Sequence, residues 1–495
     1  MRTPSFSLTA ARTVLATASI LTCIAAQAAT ITIQSRDAAG FGFNDPTPVA
    51  PVGGNNGTTL GQQRMNVYRY VADIWERNLQ SNVTITVSAG WEALNCTATS
   101  ATLGSAGAWN IWNNFPGGKP NTWYPAALAN KLAGVNLTNG IPDDGTGYGN
   151  VDIKTQFNVN LGQPNCLAGS SFYLGLDGNA GGQVNFAATL LHELGHGLGF
   201  SVVSVQTSTG YRISATGSGY VANGGLPSVW EEFMYDNTAK KSWLNMTSAE
   251  RRVSAINPLG LAWTGANSVA GASILRSQPI LKAAAPTGVL PVISYTASTF
   301  GPTLPAVASL GALATITPQD GEIGPGCEPF NAANVAAVRG KVPIISRGAC
   351  GFAVKVKNAQ NAGAVGVLLA NNVAGDVAPG GTDPTVTIPS AGITQAAGDA
   401  LKAAVAAAKP YGTRSQPGVV IASLATDPTR KAGADSLGRP LLYTPATLAP
   451  GSSVSHWDVT ASPNLLMEPS INSDLTLSVS PPQDLTLPLL KDIGW

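Results

Sequence analysis

Charge is scarce in this sequence. Lys and Arg number 28 and Asp and Glu 27, so charged residues make up 11% of the 495, against roughly 25% in an ordinary globular chain. That scarcity excludes a long coiled coil and a charge-rich disordered chain. Bases and acids nearly cancel and no basic run occurs, so the phosphate-neutralising surface of a nucleic-acid partner is missing. Long apolar runs are also lacking. No stretch after the first 28 residues has the roughly 20 apolar residues of a spanning helix, so no membrane anchor is expected once those residues are removed. Histidine is rarer still, with 3 residues, and cysteine has 5. Glycine (55) and proline (34) are in excess, which favours turns, strands and long loops over a helical bundle. The chain is too long for one ordinary core of about 100–200 residues, so two or more domains are expected.

Residues 1–28 read as a secretory signal. Arg2 and Arg12 are basic, Val14 to Ala26 is mostly apolar, and Ala26-Gln27-Ala28 offers a small-x-small cleavage site. The mature chain is expected to start near Ala29, outside the cell, with Cys23 lost alongside the leader. Cys96, Cys166, Cys327 and Cys350 remain, an even number that suits disulfides in an exported protein, with free buried thiols as the alternative.

Thr30 to Gln34 alternates like a strand and leads into a Gly/Pro/Asn-rich loop ending at Thr59, a candidate N-cap. From Leu60 to Leu79 the positions Tyr68, Val71, Trp75 and Leu79 recur every three or four residues, the mark of one helix face. Val83 to Val87 alternates like a second strand, and a second helical pattern is entered around Asn185. Between about Leu281 and Thr426 the texture turns to Ala, Val and Gly. There Val342 to Ile345 reads as strand, Phe352 to Ala362 as helix and Ala364 to Ala370 as a buried strand, so 281–425 reads as an inserted α/β unit. The parts before and after it, 29–280 and 426–495, would then form one discontinuous domain. Of the three cysteine connectivities, Cys96 with Cys166 and Cys327 with Cys350 alone keeps each bridge inside one domain.

The second helix carries His192-Glu193-Leu194-Gly195-His196. Residues four apart on a helix share a face, so both imidazoles can reach one zinc ion, with Glu193 beside it as a base. Two of the chain's 3 histidines lie in this motif and the third is His456, which leaves little room for coincidence. Gly199 is placed to end the helix and turn the chain.

The extended pattern, through Leu198-Gly199-Phe200, resembles the metzincin metallopeptidases. Their usual third ligand would fall at Val202, which cannot bind zinc. Ser455-His456-Trp457-Asp458, Leu466-Met467-Glu468-Pro469 and Lys491-Asp492-Ile493-Gly494-Trp495 resemble instead the leishmanolysin-type branch, in which an insertion displaces the third histidine. The resemblance implies one catalytic Zn2+ held by His192, His196 and His456, Glu193 as general base, and Met467 as the methionine of a turn below the metal. Inside the insert, Ser346-Arg347-Gly348-Ala349-Cys350-Gly351-Phe352, the Lys355 to Gln360 stretch and Ile388-Pro389-Ser390 resemble a protease-associated (PA) domain, a lid or binding module without catalytic residues. The implied fold class is α+β: a metzincin-like peptidase domain, twisted sheet plus active-site helix, interrupted by an α/β-type PA domain.

Asp143 to Gly147 is acidic and Gly-rich but lacks EF-hand spacing, so it reads as a turn and Ca2+ stays unsupported. Trp75, Trp109 and Trp112 read as core or cleft residues. The expected function is a secreted zinc metalloendopeptidase acting on proteins or peptides. Its rival is a secreted binding or adhesion protein with a non-catalytic zinc and a recognition domain.

Overall fold

The computed structural model describes residues 27–98, 100–140, 150–286, 288–375, 377–381, 383–408, 418–472 and 475–495. The expected leader, apart from Gln27 and Ala28, and the acidic stretch Asp143 to Gly147, expected as a turn, lie outside the described residues.

Helix α1, Leu60–Asn78, starts at a capping box: the Thr59 hydroxyl accepts from the Gln62 N–H and the Gln62 side-chain oxygen takes the Thr59 N–H, both at 3.3 Å. Val67, Tyr68, Val71 and Trp75, at helical spacing, are buried. Their face packs against a four-stranded sheet and a second long helix. The strands are β1 (Ile31–Ser35), β2 (Ile85–Glu92), β3 (Gly104–Ala108) and β4 (Ile153–Asn158), in the order β1-β2-β4-β3. β1, β2 and β4 are parallel, and β3 closes one edge antiparallel to β4, with Ala106 opposite Thr155. β2 begins two residues later than the Val83–Val87 alternation indicates, and it is buried on both faces from Ile85 to Trp91. The reason lies outside its own sequence. Arg36 reaches across the sheet, donates to the carbonyls of Ser88 (3.0 Å) and Thr155 (2.7 Å), and pairs with Glu92 at 2.6 Å. Gly90 makes room for it, since a Cβ there would stand 2.6 Å from the guanidinium carbon.

The second unit is a nine-stranded sheet. Its principal strands are β5 (Ser277–Ala285), β6 (Ala308–Thr315), β7 (Val342–Ser346), β8 (Val367–Ala370), β9 (Ser390–Ile393) and β10 (Ile421–Lys431), ordered β5-β10-β6-β7-β8-β9. β6 to β9 run parallel, and the helix Phe352–Asn361 makes the crossover from β7 to β8. The sheet is covered on both faces, so adjacent residues serve different cores: Ile344 and Leu368 face one, Ile345 and Leu369 the other. β5 and β10 pair antiparallel with Ser277 opposite Lys431, so the chain enters and leaves this unit side by side. Residues 281 and 425 thus fall inside paired strands. The apolar texture misses the strand ends because Ser277, Gln278 and Asp427 to Lys431 are polar or exposed.

The remaining segment returns to the first core. Leu442, Trp457, Leu466, Met467, Leu489 and Leu490 are buried together with α1 and the sheet. At about 1.5–3 kcal/mol per buried large apolar side chain, this segment is an integral part of that core.

Candidate metal centre

Helix α2, Phe186–Leu198, begins where the Asn185 side-chain oxygen accepts the Ala188 N–H at 3.1 Å. It ends at Gly199, whose φ of +119° is closed to other residues without strain and whose N–H returns to the carbonyls of Gly195 and His196. Trp495 donates its indole N–H to the Leu198 carbonyl at 2.7 Å, satisfying a third acceptor at this helix end.

Three imidazoles converge beneath the sheet: His192 and His196 from α2, and His456 from the segment after the insert, all buried. Each Nδ1 faces a backbone carbonyl: His192 that of Leu466 (2.7 Å), His196 that of Phe200 (2.7 Å) and His456 that of Ser452 (2.8 Å). A carbonyl can only accept, so each Nδ1 carries the proton and each Nε2 presents a lone pair. The His196 Nε2 lies 3.1 Å from both the His192 and the His456 Nε2. Burial holds the rings neutral, pushing His192 down to about 4, His196 to about 3 and His456 well below its ordinary value. Three lone pairs turned on one point repel one another unless a cation stands between them. Tetrahedral zinc with nitrogen ligands at roughly 2.0–2.1 Å spaces those nitrogens about 3.3 Å apart, so the donor set suits the ion in both chemistry and spacing.

Glu193 keeps some solvent access, while its carboxyl is crowded by protein and accepts the N–H of Ala106 on edge strand β3. Burial pushes its pKa up to about 7, against the lowering effect of that hydrogen bond. Met467 is fully buried against α2. A Cβ on Gly195 would lie 2.8 Å from the Met467 sulfur, so the thioether occupies the space that this glycine leaves. Val202 binds no ring; its N–H donates to the Ser455 hydroxyl at 3.2 Å, one residue before His456.

Some members of the site carry no sequence signal. The carbonyls of Leu466, Phe200 and Ser452 belong to the backbone, which every residue shares. Asp484 accepts the Leu466 N–H at 2.6 Å and so anchors the residue that orients His192. Its burial pushes the carboxyl up to about 6, and no motif marks it. Cys96–Cys166 and Cys327–Cys350 are disulfides, with Cα separations of 4.9 and 5.8 Å. Trp75 is core, whereas Trp109 stands 41% exposed at a surface cavity.

Residues 304–401 match the family model of the PA domain, and the motifs from Ser346 to Ser390 lie within that match. The chain therefore contains a PA domain. Vacuolar-sorting receptor 5 of Arabidopsis thaliana is 40% identical over 89 residues, which is 16% of this chain and 14% of the receptor. Among solved structures, a zinc aminopeptidase from Bacillus subtilis is 23% identical, with a TM-score of 0.21, covering 32% of this chain and 36% of that one. An aminopeptidase from an Aneurinibacillus species is 20% identical with the same TM-score of 0.21, covering 40% of this chain and 42% of that one. The chain thus spans less than half of each of these proteins, and its likeness to them is partial.

Proposed function

We propose that this chain is a secreted zinc-dependent metalloendopeptidase of the leishmanolysin-like branch of the metzincins, with the PA domain inserted between its second and third zinc ligands. One observation carries the reading: three neutral imidazoles, each oriented by a carbonyl, present bare Nε2 atoms to one point, with a carboxylate from the same helix beside them. His192, His196 and His456 would hold the ion. When bound, zinc supplies Lewis acidity, polarising a carbonyl and bringing the pKa of water to about 7. Glu193 takes the proton of the attacking water and delivers it to the departing amine. The outer edge of β3 pairs with no strand among the described residues and lies against Glu193, where an extended peptide can add as a further strand. Two disulfides agree with export, and no helix among the described residues is long and apolar enough to cross a membrane. We assign the PA domain to substrate access or recognition.

A non-catalytic zinc in a binding protein has less support. Structural zinc takes four protein ligands, and the cluster among the described residues has three. The deciding experiment compares hydrolysis of an unstructured protein by the mature chain and by Glu193→Ala, with zinc measured in both. Cleavage by the first and none by an equally zinc-loaded second is the expected result. Equal cleavage removes Glu193 from the mechanism, and zinc-loaded chains that cleave nothing favour the binding protein.

A further inference from the structure

Directly after β3 the chain enters a tryptophan-rich segment. Trp109, Trp112 and Trp123, with Ile111, Asn113 and Ile213, line an open cavity of about 440 Å³. The volume lies in the range of small-molecule and side-chain pockets, roughly 300–1,000 Å³. Trp123 is buried and forms a fixed wall, while Trp109 is 41% exposed at the rim. The rings alternate with the polar side chains of Asn110, Asn113 and Thr216, and the Lys154 ammonium stands 5.7 Å from the centre of the Trp109 ring on one side.

Its position gives the cavity a meaning. The Ala106 N–H points away from β4 toward Glu193, and backbone direction alternates along a strand. Gly104 and Ala108 therefore present their N–H and C=O groups on the same outer edge. Trp109 follows Ala108 immediately. At about 3.3–3.4 Å per residue, it lies about 10 Å along the strand from Ala106.

We infer that this cavity is a substrate subsite that takes an aromatic side chain about three residues N-terminal to the cleaved bond. The inference rests on the peptidase reading above. A peptide added antiparallel to β3 runs opposite to it, so the residue facing Trp109 precedes the residue facing Ala106. Aromatic rings pack edge-to-face or offset against tryptophan, which selects Phe, Tyr or Trp over small residues. Asn113 sits among the lining groups with its amide already donating to the Ala215 carbonyl at 3.1 Å, so it braces the wall.

The test digests a peptide mixture with the mature chain and with Trp109→Ala and reads the cleavage sites by mass spectrometry. Aromatic residues should be enriched at the third position before the cut with the mature chain and not with the variant. For a matched peptide pair carrying Phe or Ala there, the variant should lose about tenfold in kcat/KM on the Phe peptide and stay within about twofold on the Ala peptide. A flat preference at that position, or the same preference in both proteins, overturns the inference. A second measurement separates this outcome from failure of the peptidase reading: binding of the same two peptides to zinc-loaded Glu193→Gln, with and without Trp109→Ala. Tighter binding of the Phe peptide, abolished by the tryptophan change, upholds the subsite even if nothing is cleaved. Equal binding of the two peptides refutes it.

Discussion

At the scale of single residues, Gly195 links the helix to the methionine beneath it. Gly195→Ala forces a methyl group to within 2.8 Å of the Met467 sulfur, where neither the helix nor the buried turn can yield freely. Overpacking of this kind costs about 1–3 kcal/mol. The variant should melt earlier and bind zinc more weakly, because Met467 adjoins Leu466, whose carbonyl orients His192. Thermal unfolding and chelator competition measure the two effects, and unchanged values in both would show that the turn can move. In the proposed mechanism Glu193 sets the pH dependence. As the base it must be ionised, so activity falls as pH drops through its pKa, which burial pushes up to about 7 and a nearby divalent cation pulls down. The acid limb of kcat/KM should therefore lie at or below about pH 7 and move to lower pH in Glu193→Asp only if the carboxylate is the titrating group; an unmoved limb points to another residue.

At the scale of elements, α2 is held at its far end by Trp495. Trp495→Phe keeps a ring and removes the indole donor, leaving the Leu198 carbonyl without that bond. Loss of one such hydrogen bond costs about 0.5–1.5 kcal/mol, so a small fall in melting temperature is expected, with zinc stoichiometry intact. Full stability in the variant would mean that water replaces the donor. Both long helices of this unit were legible in the sequence because their signals are local: the Thr59 N-cap, the four-residue histidine spacing and Gly199 each act within a single turn. β2 was less legible, since its second buried face depends on Arg36 folding over from the loop that follows β1. The orienting carbonyls and Asp484 left no trace, because any residue supplies a carbonyl and an isolated aspartate has no pattern.

At the scale of the whole molecule, the two units differ in how much the site needs them. Ser277 and Lys431 pair directly, so replacing residues 278–430 by a short linker need not strain the first unit. That variant should bind one zinc per chain and cleave short peptides, with altered selection among folded proteins if the PA domain governs access. Ending the chain after residue 425 instead removes His456, Trp457 and Met467 from the core and the metal centre, and should abolish zinc binding. Zinc retained after that truncation would refute the ligand assignment. The insert's PA character was readable from its Gly- and Cys-containing motifs, whereas its limits were not, because polar strand ends resemble linker until their partner strand is known.

The separation of the histidines also governs timing. His196 and His456 stand 260 residues apart, with the PA domain between them. A growing chain therefore carries two of its three imidazoles, and Glu193, long before the third exists. Until the insert has been made and its strands have closed, the polypeptide cannot bring its three imidazoles together, so whatever chemistry that cluster performs waits for the last part of synthesis.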